Sequence, residues 1–336
     1  MNIIEQLTHA IDSKNSEWNE SYYFAFFDKK NNIGGVSRIG FKPNKPERMT
    51  FFILFFPDGK KIGIYNKVEH VKEYSNPFRV GFVEHNCRSD GKWCYSFEGK
   101  MIVLENPEDL SNLQESSKFT LLKKLLRKEL YKKRIKINLS FNPISEVYEY
   151  SKYMTPESLE IGKKAGDKHW EQIADISGEI QIANDTYMVD NTLGQRDHTY
   201  GVRDWTGVGN WLYYVIWFNK NLAINPAVIV MDDGKLSSGG FLFKNGKNIP
   251  IKTIKIIEQK FRKDNVFPIS SELEIVDYSG EKHVLKANAG TIVPIPFRDN
   301  EGNKSYLIQS FGNFKLNEIS GGYGTFETLR KAKKIN

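Results

Sequence analysis

Turn sequences punctuate this chain at intervals too short for long helices, and that spacing limits it to strands and hairpins. An apolar run from Phe51 to Phe56 is followed by Pro57-Asp58-Gly59 and then by a second run through Tyr65. Asp-Gly between two such runs is a hairpin signal, because a two-residue turn needs positions that accept positive φ. Asp28-Lys29-Lys30-Asn31-Asn32, Asp232-Asp233-Gly234 and Asn245-Gly246 break the chain in the same way. The pattern predicts strands over 22–27, 35–41, 49–56, 61–65, 80–84, 92–97 and 101–103. Apolar residues at 121, 122, 125, 126 and 130 then fit a helix over 121–131, with strand again over 134–141. After Thr155-Pro156-Glu157-Ser158 a second series of strands is expected, from 170–182 to 323–329. An aromatic fraction of 13% and 26 Gly agree with a β-rich chain. With 336 residues, two domains are expected, 1–158 and 159–336.

Several function classes are excluded by what the residues do not form. The runs at 51–56 and 211–218 are far too short to cross a bilayer as helices. Glu5 and Asp12 occupy the place of a basic-then-apolar leader, so a cytoplasmic protein is expected. Cys87 and Cys94 flank a turn and could face each other across a hairpin; two reduced structural thiols are the preferred reading. His85 lies nearby, but no further ligand follows at metal-site spacing. Ser237-Ser238-Gly239-Gly240 opens no helix that would cradle a phosphate, and neither Gly-x-Ser-x-Gly nor His-Glu-x-x-His occurs. No cofactor and no metal are therefore expected. The net charge of +7 is local: from Lys118 to Lys136 nine Lys or Arg stand against one acid, Glu129, so this stretch outweighs the whole surplus. No nucleic-acid motif accompanies it. It reads as a connecting helix whose leucines pack on a domain, or as a cationic face for peripheral contact with anionic membranes.

The densest chemistry lies in Gly194-Gln195-Arg196-Asp197-His198-Thr199-Tyr200-Gly201-Val202-Arg203-Asp204-Trp205. Three ionisable side chains stand in succession in a strand-like segment, which is costly unless they satisfy one another or do chemistry. On an extended chain Gln195, Asp197 and Thr199 share one face, and Arg196, His198 and Tyr200 the other. An acid with an amide and a hydroxyl beside it could face a cavity, with Arg196 and His198 bracing the strand from behind. The plainer alternative is a structural acid paired with Arg196, Arg203 or a backbone turn. On a preceding strand, Glu171 shares a face with His169 and could orient it.

This string is similar to the Gly-x-Arg-Asp-His-Ser-Trp-Gly-x-Arg-Asp-Trp signature of the carotenoid hydratase (hydroxyneurosporene synthase) and AttH-like superfamily. Trp18-Asn19-Glu20-Ser21-Tyr22-Tyr23-Phe24, Arg38-Ile39-Gly40 with Pro43-Asn44, His169-Trp170-Glu171-Gln172, and Gly321-Gly322-Tyr323-Gly324-Thr325-Phe326-Glu327 resemble other elements of that superfamily. Gln195 stands where the hydratases have Tyr, and Tyr200 where Trp is frequent. The resemblance implies an all-β fold of two consecutive lipocalin-like antiparallel β-barrels with few short helices, the second carrying the Arg-Asp-His signature. It also implies a cofactor-independent acid-catalysed lyase or isomerase acting on a hydrophobic, isoprenoid-like substrate. Asp197 would protonate a C=C bond with His169 as its catalytic partner. Gln195, Trp170, Thr199 and Trp205 would line the substrate, and Arg196, His198, Tyr200, Arg203 and Glu171 would support the site. The alternative is a non-catalytic lipid or terpenoid carrier that uses a barrel cavity.

Overall fold

A computed structural model describes residues 8–11, 14–71, 74–113, 130–299 and 301–332. The strand-rich pattern of the sequence becomes two antiparallel sheets, each closed on itself. The first contains β1 (Trp18–Asp28), β2 (Ile33–Lys42), β3 (Glu47–Phe55), β4 (Ile62–Glu69), β5 (Phe78–Val80), β6 (Val83–Cys87), β7 (Trp93–Leu104) and β8 (Leu130–Pro143). A two-residue strand, β9 (Tyr148–Glu149), and a short helix, Pro156–Gly162, come before β10 (Lys168–Ile182) and β11 (Asp185–Val202). Thr155 caps that helix by accepting the Ser158 N–H at 3.2 Å, and Pro156 occupies the first turn, where its missing N–H costs nothing.

Hydrogen bonding runs β4-β3-β2-β1-β11-β10-β8-β7, and β4 pairs back onto β7 to complete the ring. This barrel is filled. Tyr22, Phe24 and Phe26 of β1 meet Phe52, Trp93, Tyr95, Phe97, Ile137 and Phe141 in one buried cluster. Removing a buried aromatic from such a core costs about 3–5 kcal/mol. Among these rings lies His85, whose Nε2 is 2.8 Å from Ser37 Oγ. Burial pushes the His85 imidazole down to about 3.

The second ring runs through β12 (Asn210–Asn219), β13 (Leu222–Val230), β14 (Leu236–Lys244), β15 (Lys247–Phe261), β16 (Pro268–Asp277) and β17 (Lys282–Ala289). After β18 (Val293–Arg298) and β19 (Lys304–Gln309), it continues through β20 (Phe311–Leu316) and β21 (Ile319–Lys331), and β21 closes on β12. Leu212, Tyr214, Ile216, Leu273, Ile275, Phe314 and Phe326 form its core.

The division of the chain differs from the expected break between 158 and 159. The compact units are 1–106, 115–147 and 168–202 on one side, and 107–114, 148–167 and 203–336 on the other. The Arg-Asp-His signature is on β11, in the first barrel rather than the second. The reason is ring closure: β10 bonds to β8 and β11 bonds to β1, so the first barrel is incomplete without strands that follow the helical connection.

The hairpins at Asp58-Gly59, Asp232-Asp233-Gly234 and Asn245-Gly246 form between β3 and β4, β13 and β14, and β14 and β15. Cys87 pairs with Trp93, and Cys94 with Asn86, so the two thiols are one position out of register and point to opposite faces of their hairpin. Of the expected helix over 121–131, residues 121–129 lie outside the described residues, while Leu130 and Tyr131 already belong to β8. Further along β8, Arg134 and Lys136 reach Glu98 at 2.8 and 3.9 Å. Among the described residues no helix is long and apolar enough to cross a membrane.

Closure of the second ring yields a stability prediction. Gly324 of β21, at φ +155°, lies opposite Ile216 of β12, and a Cβ there would sit 1.8 Å from the Val215 carbonyl oxygen. Gly324→Ala should cost roughly 3 kcal/mol or more in urea unfolding. Gly302→Ala, at φ +79° with nothing within 4 Å, should cost only about 1 kcal/mol. Equal costs at the two sites would show that the β12–β21 seam does not hold the ring.

Candidate functional site

The signature strand β11 lies between β1 and β10, and the register fixes what each of its side chains meets. Asp197 is opposite Tyr23 on one side and Glu171 on the other, and Tyr23 is opposite Arg38 of β2. One rung across four strands therefore carries Arg38, Tyr23, Asp197 and Glu171. The next rung toward the end of β11 carries Thr199, with Ser21 and His169 beside it. Tyr22 and Phe24 belong to the barrel core, so this odd-numbered set of β1 and β11 is the outer face of the barrel wall.

On that outer face, Glu171 is fully buried and its carboxylate is taken up on both oxygens. Oε1 lies 2.7 Å from His169 Nε2, and Oε2 accepts a hydrogen bond from the Gln195 amide. Asp197 Oδ2 lies 4.0 Å from the same His169 nitrogen, and the Thr199 hydroxyl is 3.4 Å from both Asp197 Oδ1 and His169 Nδ1. Glu171 is 0% exposed, Asp197 14% and His169 26%, so access increases from the orienting acid to the imidazole. A buried carboxylate hydrogen-bonded to an imidazole fixes its orientation and stabilises its protonated form. Here that imidazole stands beside a second, more accessible acid. The arrangement can hold, give and take back a proton.

The inner face of the same strands carries a second cluster. His198 Nε2 and His9 Nδ1 both reach Glu20 Oε1, at 2.9 and 2.7 Å, and the His9 backbone N–H donates to the same carboxylate at 3.1 Å. Tyr74 also hydrogen-bonds Glu20. Aromatic rings clamp the imidazoles: Tyr22 stacks on His198 at 4.3 Å, and Trp170 stacks on His9 at 5.3 Å, with Tyr200 4.5 Å from His9. Burial pushes the Glu20 carboxyl up, but the hydrogen bonds and charges of His198 and His9 together outweigh it and hold Glu20 below its ordinary 4.5.

The expected site residues divide between these places. Asp197, His169, Gln195, Thr199 and Glu171 come together on the outer face. Trp170 does not join them: His169 and Glu171 point outward, so the residue between them points in, toward His9 and His198. Trp205 belongs to the second unit, stacked on Phe297 at 4.4 Å with the Arg203 guanidinium 5.1 Å over its ring. Arg203 donates from Nε to the Ala165 carbonyl at 2.8 Å. Arg196 turns inward, donating to Gln172 at 3.0 Å and lying 5.5 Å over Trp93, which removes it from the Asp197 side of the sheet. Sequence reasoning missed Tyr23, Tyr74, His9 and the role of Glu20. For Glu20 a signal existed: it is two residues before Tyr22 and four before Phe24, an acid in the inward series of an aromatic strand. A third cluster, Asp277, Glu281 and His283, is a hairpin brace in which Asp277 accepts from the Ser279 and Glu281 backbone N–H groups and pairs with His283 at 3.0 Å.

A family profile described as "Domain of unknown function (DUF7064)" matches residues 4–332. No curated protein sequence matches the chain. Solved structures share its fold. One described as AttH (NE1406) from Nitrosomonas europaea aligns at TM-score 0.61 and 11% identity over 97% of this chain and 94% of that one. Kievitone hydratase from Nectria haematococca aligns at 0.56 and 10% identity over 99% and 95%. CghA, solved with Sch210972, aligns at 0.54 and 8% identity over 94% and 88%. At these identities the likeness shows the fold alone, which is that of two lipocalin-like antiparallel β-barrels.

The lowered Glu20 value carries a sign for acid stability. Its stabilising contribution is complete above 4.5 and is lost as pH falls through the lower folded-state value. His85 adds a separate loss between its ordinary 6.5 and about 3, because the unfolded chain takes up that proton first. Glu20→Gln should therefore lower stability at neutral pH and flatten the part of the urea-midpoint profile below about 4.5, leaving the slope nearer pH 6 in place. An unchanged acid limb in Glu20→Gln would show that this carboxylate does not govern it.

Proposed function

This chain belongs to the family described as Domain of unknown function (DUF7064), and from its site we propose a cofactor-independent acid–base enzyme of the hydratase or cyclase kind, acting on a hydrophobic, isoprenoid-like molecule. The observation that carries the proposal is the outer cluster: buried Glu171 orients His169, and His169 stands 4.0 Å from Asp197, a second acid more accessible than Glu171. Similarity to a protein named kievitone hydratase supports the hydratase direction. The filled interior of the first barrel favours chemistry on the outer face over a carrier that holds its ligand in the lumen.

Asp197 in its acid form gives its O–H proton to one carbon of a C=C bond, and the other carbon becomes cationic. Water then attacks that carbon and loses a proton to His169, which yields an alcohol. Alternatively His169 takes a proton from an adjacent C–H after rearrangement or ring closure, which yields an isomer. Glu171 stabilises the imidazolium formed in either case. Return of the proton from His169 to Asp197 restores the site, so the overall change is addition of water or none. Tyr23, opposite Asp197 on the same face, puts an aromatic ring beside the developing cation.

Deuterium labelling tests this. Wild-type protein incubated in D2O with a panel of prenyl alkenes and polyenes should incorporate deuterium at carbon in at least one of them, read by mass spectrometry, with a further gain of one water if hydration follows. Asp197→Asn should unfold at an unchanged temperature and lose at least about a hundredfold in incorporation rate, the lower end for losing a general acid. Undiminished incorporation by Asp197→Asn would sink the assignment, and stoichiometric binding without incorporation would favour the carrier.

A further inference from the structure

We propose that His9, Glu20 and His198, on the inner face of the first barrel, form a binding site for a divalent transition metal ion, with Zn2+ the match to their chemistry. Two imidazoles and one carboxylate are a zinc donor set that leaves a fourth position open. The ligand atoms already converge, all within 4.8 Å of one another. Nitrogen and oxygen ligands about 2.0–2.1 Å from a tetrahedral zinc stand roughly 3.3 Å apart. The two imidazole–carboxylate distances here are 2.7 and 2.9 Å, so each pair has to open by roughly half an ångström.

The surroundings favour an ion at this point. As hydrogen bonds, both imidazole N–H groups aim at the same oxygen, Glu20 Oε1, and the carboxylate also takes the His9 backbone N–H and Tyr74. Two N–H dipoles directed at one atom repel each other. Replacing both protons by one cation removes that repulsion and gives the buried carboxylate a full counter-charge. Neither ring has to search for its orientation, because Tyr22 stacks on His198 and Trp170 on His9. Ordinary motif spacing does not reveal such a site, since its ligands stand at 9, 20 and 198.

The other ligand-rich clusters fit less well. Asp277, Glu281 and His283 already satisfy a hairpin turn, and Glu281 is 51% exposed. The outer cluster offers one imidazole and two carboxylates, a harder donor set. Binding at His9 would also tie residues 8–11 to β1 and β11, so the ion would raise thermal stability with its concentration.

Chelator-treated full-length protein is titrated with Co2+ alone, then with Zn2+ as competitor. One equivalent of Co2+ should develop the intense visible bands of a four-coordinate site, release protons, and be displaced by Zn2+. His198→Ala should abolish the bands. His9→Ala removes a ligand that lies outside the barrel strands, so the fold persists by circular dichroism, and Co2+ affinity should fall about a hundredfold or more, since losing a mere outer-shell partner costs 10–100-fold. His169→Ala should bind as wild type. Undiminished affinity in His9→Ala, loss of the bands in His169→Ala, or no binding tighter than roughly millimolar would each overturn the proposal.

Discussion

The position of β11 between β1 and β10 is the constraint on which the rest depends. A strand hydrogen-bonded on both sides cannot rotate about its axis, and a one-residue slip would exchange its two faces completely. Tyr22 opposite His198 and Phe24 opposite Arg196 place the even positions among aromatic rings inside the barrel. Asp197, Gln195 and Thr199 are then committed to the outside. Three adjacent ionisable residues are tolerated because alternation sends Arg196 and His198 to different partners from those of Asp197.

Each face handles the cost of burying charge in the same way. Glu171 outside and Glu20 inside are both fully buried carboxylates, and each is met by imidazole nitrogen below 3 Å and by further donors. An uncompensated carboxylate in either place would be expelled or neutralised. The two differ in what lies beyond. Outside, Glu171 leads through His169 to Asp197, and both of these are more accessible than Glu171, so the chain of partners ends on partly exposed groups. Inside, His198 and His9 converge on the same oxygen and are shut in by Tyr22, Trp170 and Tyr200, so the partners end on themselves.

Most of the strand pattern was legible because hairpin signals are local. Asp58-Gly59 and Asn245-Gly246 announce turns whatever the remainder of the chain does. Alternation was local as well, and it placed Asp197, Gln195 and Thr199 together and turned Arg196 away. Ring closure was not local. That β11 returns to β1, pairing Phe27 with Leu193 at one end and Trp18 with Val202 at the other, depends on pairing energies shared along whole strands, and no residue near 158 signals that the first barrel is still open. The place of Trp170 is a matter of parity. The resemblance of His169-Trp170 to a superfamily element implies that both residues serve the site, whereas strand alternation turns Trp170 inward, away from His169 and Glu171 and toward His198. Glu20 and His9 form their contacts with a strand far along the chain, and only the pairing of β1 with β11 brings them to His198.

The two clusters share one backbone, and this ties the outer chemistry to the inner clamp. His169 and Asp197 are on adjacent strands, so their 4.0 Å separation depends on how firmly β10 and β11 are held against each other and against β1. Backbone ladders permit small shear and twist. Side-chain clamps on the inner face resist both, and the Glu20–His198 bond at 2.9 Å ties β1 to β11 one rung from Asp197. The Arg196–Gln172 bond ties β11 to β10 on its other side at 3.0 Å. Interlocked aromatic and ionic groups across the interior hold β1, β11 and β10 in register, and that register sets where Asp197 and His169 stand on the outer face.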